Sequence, residues 1–271
     1  MTSAQELCEK AADLRAVIDR FLPPPGARIP IAGLYPDADH IATELMWGGI
    51  WNEPGLDHRL RSIATITAQV VNGFDFGLHH QCRVGLTLGI SPQTIKAMLL
   101  ELRFWLGVPH TVFAFLKLQE VINERKEWRE MDVPVEAPWL PTVEEKVKRG
   151  RELLRQEWGE RADREMAATA THEFLPGAAA LVDGYHYGEV WARSPLTAKE
   201  RMVSILAALM CRGHREQLRR QIGYALHAGL TRREICETFA QAGWYRGWPY
   251  VEDALEEARQ VFAERGIRPT P

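Results

Sequence analysis

The chain has 271 residues, of which 46% are hydrophobic and 25% charged, so it is long enough to bury one large core or two of ordinary size. Its formal net charge of −3 gives no electrostatic reason to expect nucleic acid or an anionic membrane as a partner, and no apolar run approaches the ~18 residues that a membrane span requires. Cys8, Cys82, Cys211 and Cys236 form neither a C-x-x-C pair nor a cluster, which argues against a disulfide framework or a zinc knuckle.

The first stretch, "MTSAQELCEKAADLRAVIDR", mixes charged and apolar residues at helical period and lacks the apolar core of a signal peptide, so a cytoplasmic location is expected. A break at "PPPG" (23–26) precedes a helical region beginning near Pro36, in which Ser91-Pro92 places a capping hydroxyl ahead of a proline at the first helical position. "VPVEAPWLP" (133–141) reads as a linker. The run "VEEKVKRGRELLRQEWGERADRE" (143–165) alternates both signs at helical spacing and reads as a solvated helix face. A second helical region follows, with Thr231 and Glu234 forming a T-x-x-E capping box and glycines at 73, 89, 213 and 229 punctuating both regions. No stretch alternates long enough to make a strand, so the expected class is all-α.

The two regions are copies of one another. Adding 140 to a residue number carries Pro36 to Pro176, Gly48 to Gly188, Trp51 to Trp191, Arg61 to Arg201, Gly73 to Gly213, Gln81 to Gln221, Gly89 to Gly229, Gly107 to Gly247 and Pro109 to Pro249. Generic similarity between amphipathic helices would match leucines; it would not match Trp, Gly and Pro without a gap. The expected division is an N-terminal repeat over 1–130, with its core at 36–125, and a C-terminal repeat over 141–271, with its core at 176–264.

The repeated unit resembles the carboxymuconolactone decarboxylase family. The resemblance is carried by "WGGIWNEPGLDHRLRS" (47–62), "YGEVWARSPLTAKERM" (187–202), "HREQLRRQIGYALHAGLTRREICETF" (214–239) and "WYRGWPY" (244–250). It implies a tandem pair of alkyl hydroperoxidase D-like helical bundles packed with pseudo-symmetry, and assembly as a homo-oligomer, such as a trimer presenting six units. A run that decarboxylase members carry before their core helices is divided between the copies. Gly188, Glu189, Val190, Trp191 and Arg193 keep its start; Pro54, Gly55, Leu56, Asp57, Arg59, Arg61 and Ser62 keep its end.

The peroxidase branch places C-x-x-C-x-x-x-H on the next helix, with the histidine eight residues before a glycine. Counting back from Gly89 gives Phe74, Gly77 and Gln81; counting back from Gly229 gives His214, Gln217 and Gln221. The place of the family's acid holds Ser62 and Met202. With thiol, base and acid all missing, thiol peroxidase chemistry is not expected.

The stretch "GFDFGLHHQCRVG" (73–85) nevertheless holds two adjacent histidines. At ~100° per residue, His79 lies about 100° from Leu78 and His80 about 160° from it, while Gln81 stays about 60° away, on the side that the family uses. His80 is read either as facing solvent or a repeat interface, or as part of a site built at that interface. His79 with Cys82 offers too few ligands for a metal, and no metal or organic cofactor is expected. His214 is read as the best-placed titratable residue of the second copy or as a helix cap.

Decarboxylation of an unsaturated carboxylated lactone needs no cofactor when the substrate's own carbonyl accepts the electrons; the protein must hold the carboxylate, stabilise the oxyanion and deliver a proton. Arg61, Arg193 and Arg201 are candidates for the carboxylate, and Gln81 and Gln221 for hydrogen bonds to the carbonyl. His79, Trp51, Trp191 and Tyr245 are candidate pocket residues. His214, Glu189 and His80 are candidate proton carriers. The expected function is a cofactor-free lyase or isomerase acting on a small carboxylated lactone or aromatic-derived compound. The alternative is a catalytically silent oligomeric binding or scaffold protein of the same fold.

Overall fold

The computed structural model describes residues 2–21, 35–134, 136–160 and 169–267. The expected break at 23–26 and the end of the charged run at 161–165 lie outside them. The fold is all-α, with no strand among the described residues. Helix α1 spans Ala4–Ile18. Helix α2, Pro36–Ile41, runs without interruption into a π-helical stretch, Ala42–Gly49. Then come α3 (His58–Asn72), α4 (Asp75–Thr87), α5 (Pro92–Leu106), α6 (Val108–Asn123) and the short α7 (Lys126–Met131). Helix α8 (Val143–Trp158) follows the linker, and after it α9 (Ala170–Phe174) and α10 (Pro176–Tyr185), the latter continuing as a π-helical His186–Trp191. The second series closes with α11 (Ala198–Arg212), α12 (Arg215–His227), α13 (Arg232–Arg246) and α14 (Trp248–Glu264).

The offset of the sequence is therefore an offset of helices, with α3 to α6 repeated as α11 to α14. Both expected caps form: the Ser91 side chain accepts from Thr94 N ahead of Pro92, and Thr231 and Glu234 make the reciprocal box. Gly73 and Gly213 end α3 and α11 at φ 63° and 70°, where a side chain would be strained, and so aim α4 and α12 back along the core.

Helices α3 and α11 form the centre. Residues 60–71 and 200–211 are buried without exception, as expected for helices surrounded on all sides. They pack on each other, and each also receives the other repeat's third helix: α13 lies on α3, and α5 lies on α11. One continuous apolar core, from Leu56 to Phe262, joins the two repeats. Two clefts result, each walled by the core helices of one repeat and a helix of the other. No described helix is long and apolar enough to cross a membrane.

Candidate functional site

The same local device shapes both clefts. In each repeat the helix before the core widens into π geometry, which rotates successive side chains off the α-helical face and often marks functional sites. The glycine inside each π stretch is required by contact: a Cβ on Gly48 would sit 2.1 Å from Leu7 O, and one on Gly188 would sit 1.9 Å from Lys146 O. Helices α1 and α8 thus press directly on the π backbone and hold its side chains toward the clefts.

In the C-terminal cleft, between α5 and the second repeat, the π segment turns His186 inward. Its Nε2 lies 2.7 Å from Glu101 Oε1, and Trp105 Nε1 donates to the same oxygen at 3.0 Å. The imidazole stacks on Phe104 (4.2 Å, 7°) and on Tyr187 (4.3 Å, 26°), with Trp191 edge-on at 5.8 Å. His186 is 3% exposed and Glu101 1% exposed. Burial works against the Glu101 charge, but the charge and hydrogen bond of His186, with Trp105 and Arg201 adding to them, hold the carboxyl below its ordinary range. A carboxylate accepting at Nε2 fixes that nitrogen as the donor.

His186 borders a cavity of about 220 Å³, whose lining includes Phe104, Trp105, Ala179, Val182, Gln217 and Gln221, with Glu101 behind it. Gln221 is 1% exposed, and its Oε1 has no hydrogen-bond partner. A second histidine–carboxylate pair borders the same cavity: His172 Nε2 lies 2.8 Å from Asp183 Oδ2, with Thr169 Oγ1 2.8 Å from His172 Nδ1. Arg220 also lines it, and its carboxylate contact, Glu216, is 3.9 Å away and largely exposed.

The N-terminal cleft, between α13 and the first repeat, holds different chemistry at equivalent positions. Met46 stands where the other has His186, Gln241 where it has Glu101, and Tyr245 where it has Trp105. Trp51 Nε1 donates to the Tyr245 hydroxyl at 3.0 Å, and Gln241 Nε2 donates to Thr65 Oγ1 at 2.9 Å. Burial raises the Tyr245 pKa, with bonds from Trp51, Thr65 and Gln81 opposing it in part, so the phenol is neutral. Arg61 is fully buried and pairs with Glu237, while its Nη1 donates to Gln241 Oε1 at 3.2 Å. Glu237 also accepts from Gly55 N at 3.0 Å and pairs with Arg233 at 2.7 Å.

The predicted residues are distributed accordingly. Trp51, Gln81, Arg61 and Tyr245 meet in the N-terminal cleft; Trp191, Gln221 and Arg201 meet in the C-terminal one. None of the three arginines expected to take a carboxylate substrate lines the cavity at His186. Arg61 is committed to Glu237, Arg201 stacks on Trp191 at 4.3 Å and pairs with Glu157, and Arg193 stacks on Trp139 at 4.1 Å near Glu189. Glu189 is fully buried, facing Arg149 at 2.8 Å, Lys146 at 3.6 Å and Arg193 at 3.8 Å, and it accepts from Leu140 N at 2.8 Å. It ties the linker to the π segment, away from the cavity. His214 is exposed at the head of α12, outside that lining, and its side chain caps no N–H. His79 pairs with Glu124 at 3.0 Å beside Arg83; burial and the Arg83 charge lower its pKa. His80, half-buried, stacks on Phe76 at 6.4 Å. Cys82 and Cys211 are buried with thiols pushed up to about 12, so neither supplies a thiolate.

The sequence matches the carboxymuconolactone decarboxylase family profile over residues 36–120 and again over 176–260, together more than half of the chain. The chain belongs to the carboxymuconolactone decarboxylase family. It is 29% identical over 89 residues to a 4-carboxymuconolactone decarboxylase of Acinetobacter baylyi, covering 33% of this chain and 66% of that one. It is 29% identical over 86 residues to a nitrosuccinic acid decarboxylase of Metarhizium robertsii (31% and 59%), and 39% identical over 80 residues to an uncharacterised 15.0 kDa protein of Paracoccus denitrificans (29% and 60%). Each match therefore spans less than two thirds of the relative. Two relatives are named as decarboxylases, and decarboxylase-like function is supported at the level of the family.

Gln81 and Gln221 are both buried. The residues that sequence reasoning missed are His186, Glu101, Trp105 and Arg220. The first three had a signal. At the 140-residue offset they are unlike their counterparts Met46, Gln241 and Tyr245, and Gly48/Gly188 and Ile95/Ile235 fix the alignment of the segments that carry them.

Proposed function

We propose that the protein is a cofactor-free lyase that decarboxylates a small carboxylated compound in the C-terminal cleft. The observation that supports this reading most is the buried His186–Glu101 pair beside a cavity of about 220 Å³. That volume is below the ~300 Å³ at which drug-sized pockets begin and suits a small acid.

The reacting carboxylate lies against Phe104, Ala179 and Val182, where loss of hydration disfavours the anion relative to neutral carbon dioxide. The electrons of the breaking C–C bond pass to the substrate's own carbonyl as an enolate. The Gln221 amide donates to the developing oxyanion, and His186, held through Nε2 by Glu101, delivers the proton from Nδ1. Arg220, which lines the cavity where Arg61, Arg193 and Arg201 do not, is the cation for a second carboxylate that stays in the product. A carboxylate bound tightly by a guanidinium is stabilised as an anion, so the group that Arg220 holds is not the one lost.

The alternative reading, a catalytically silent binding protein, is supported by the N-terminal cleft alone, where Tyr245 and the Arg61–Glu237 pair occupy the centre. The test is carbon dioxide release from 4-carboxymuconolactone, nitrosuccinate and a panel of small carboxylated lactones. Turnover is expected, with Arg220→Ala raising KM by about 10-fold or more, in line with the ~1.5–3 kcal/mol of a charged hydrogen bond. A folded protein releasing carbon dioxide from none of them, or an Arg220→Ala variant with unchanged KM, contradicts the proposal.

A further inference from the structure

The repeat offset exposes a second cavity that the lyase reading leaves unused. In the N-terminal cleft, Glu237 fills the space under the 53–55 loop, bonded to Gly55 N, Arg61 and Arg233. The equivalent positions under the 193–195 loop are Ala97, with no carboxylate, and Pro195, with no N–H to donate. The space left open there is a cavity of about 350 Å³.

Its walls are apolar and aromatic: Ala97 and Leu100 from α5, Phe115 from α6, Trp139 from the linker and Val190 from the π segment. Its polar end is Arg193. The guanidinium stacks on Trp139 at 4.1 Å, and its Nη1 is buried without a hydrogen bond, the nearest carboxylate, Glu189 Oε2, being 3.8 Å away. Lys96, also on the lining, is already held by both Asp132 oxygens at 2.7 Å. Around Glu189 stand three cations, Lys146, Arg149 and Arg193, against one anion, so this end carries excess positive charge. A flat apolar body with one anionic end matches both features, because the ring replaces water against Phe115 and Leu100 while its oxygens accept from Nη1.

We propose that this cavity is a second ligand site, for a small aromatic carboxylate, distinct from the cavity at His186. The two share walls: α5 presents Ala97 and Leu100 to one and Phe104 and Trp105 to the other, and the π segment presents Val190 to one and His186 to the other. Arg193 and Glu189 thereby leave the list of groups acting on the reacting substrate and become parts of a separate site.

The test is isothermal titration of the full chain with benzoate. Wild type is expected to bind; Ala97→Phe, which fills the cavity, and Arg193→Gln, which removes its charge, are expected to weaken binding by about 10-fold or more each. His186→Ala is expected to bind as wild type does. Two variants with opposite effects on packing guard against one failing to fold, which circular dichroism checks. Wild-type protein that does not bind millimolar benzoate, binding unchanged in both cavity variants, or binding lost in His186→Ala would each overturn the proposal.

Discussion

The two clefts between the repeats are made from the same helices in exchanged roles, yet one is held together by its polar groups and the other keeps them turned toward a cavity. In the N-terminal cleft Arg61, Glu237, Gln241, Thr65, Tyr245 and Trp51 bond to one another. In the C-terminal cleft Glu101 binds His186 and Trp105; Gln221 Oε1, unpaired like its counterpart Gln81 Oε1, lies beside a cavity that His186 also lines. Buried polar groups that are mutually satisfied specify packing, whereas a buried polar group left over at a cavity is what a ligand can pair with. Duplication within one chain lets the copies diverge in this way, since a change in one cleft need not be repeated in the other.

Turnover separates the two clefts most directly, through a carboxamide change in one and a phenol change in the other. Glu101→Gln removes the anion that orients His186 and is expected to lower kcat by about 100-fold or more with a small change in KM, while Tyr245→Phe leaves kcat within about twofold. Equal losses in steady-state kinetics would mean that both clefts work.

Stability should show the reverse ranking. Arg61→Ala takes from Glu237 its fully buried partner, leaving it Arg233 and the Gly55 N–H, and is expected to cost about 3–5 kcal/mol in urea unfolding. Arg201→Ala is expected to cost about 1–3 kcal/mol, because its partner Glu157 is 23% exposed and can rehydrate. Comparable costs would show that the two arginines serve alike. Tyr245→Phe, silent in turnover, should still cost about 1–3 kcal/mol by leaving the Trp51 N–H without an acceptor.

The smallest expected effect is in pH. Folding lowers the Glu101 pKa, so its contribution to stability is fully present above the unfolded carboxylate value of about 4.3 and is lost as pH falls through the lower folded value. The stability gap between wild type and Glu101→Gln should therefore narrow on acidification below about pH 4. A gap constant down to pH 2 would mean that Glu101 titrates alike in both states.

What the sequence revealed, and what it hid, follows from where the contacts are made. The helices, their caps and the burial of Gln81 and Gln221 rest on spacing within a single helix, which periodicity reports. The sites are built across the repeats: Glu101 and Trp105 reach His186 from a helix of the other copy, 85 residues away in the case of Glu101. No pattern within a segment encodes that meeting. His214 has the residue type of a proton carrier, but at the head of α12 it is exposed and lies outside the cavity lining. Glu189 stands in a run that the family resemblance marks, but it is fully buried among three cations and bonded to the linker at Leu140 N.

The claim that acid–base chemistry resides in one cleft is tested most directly at position 46 and its counterpart, 186. Carbon dioxide release should fall by about 10²- to 10⁴-fold in His186→Ala, the span of a general acid, and stay within a few-fold in Met46→Ala. Equal losses in the two variants, or a His186→Ala protein that turns over as wild type does, would contradict the account.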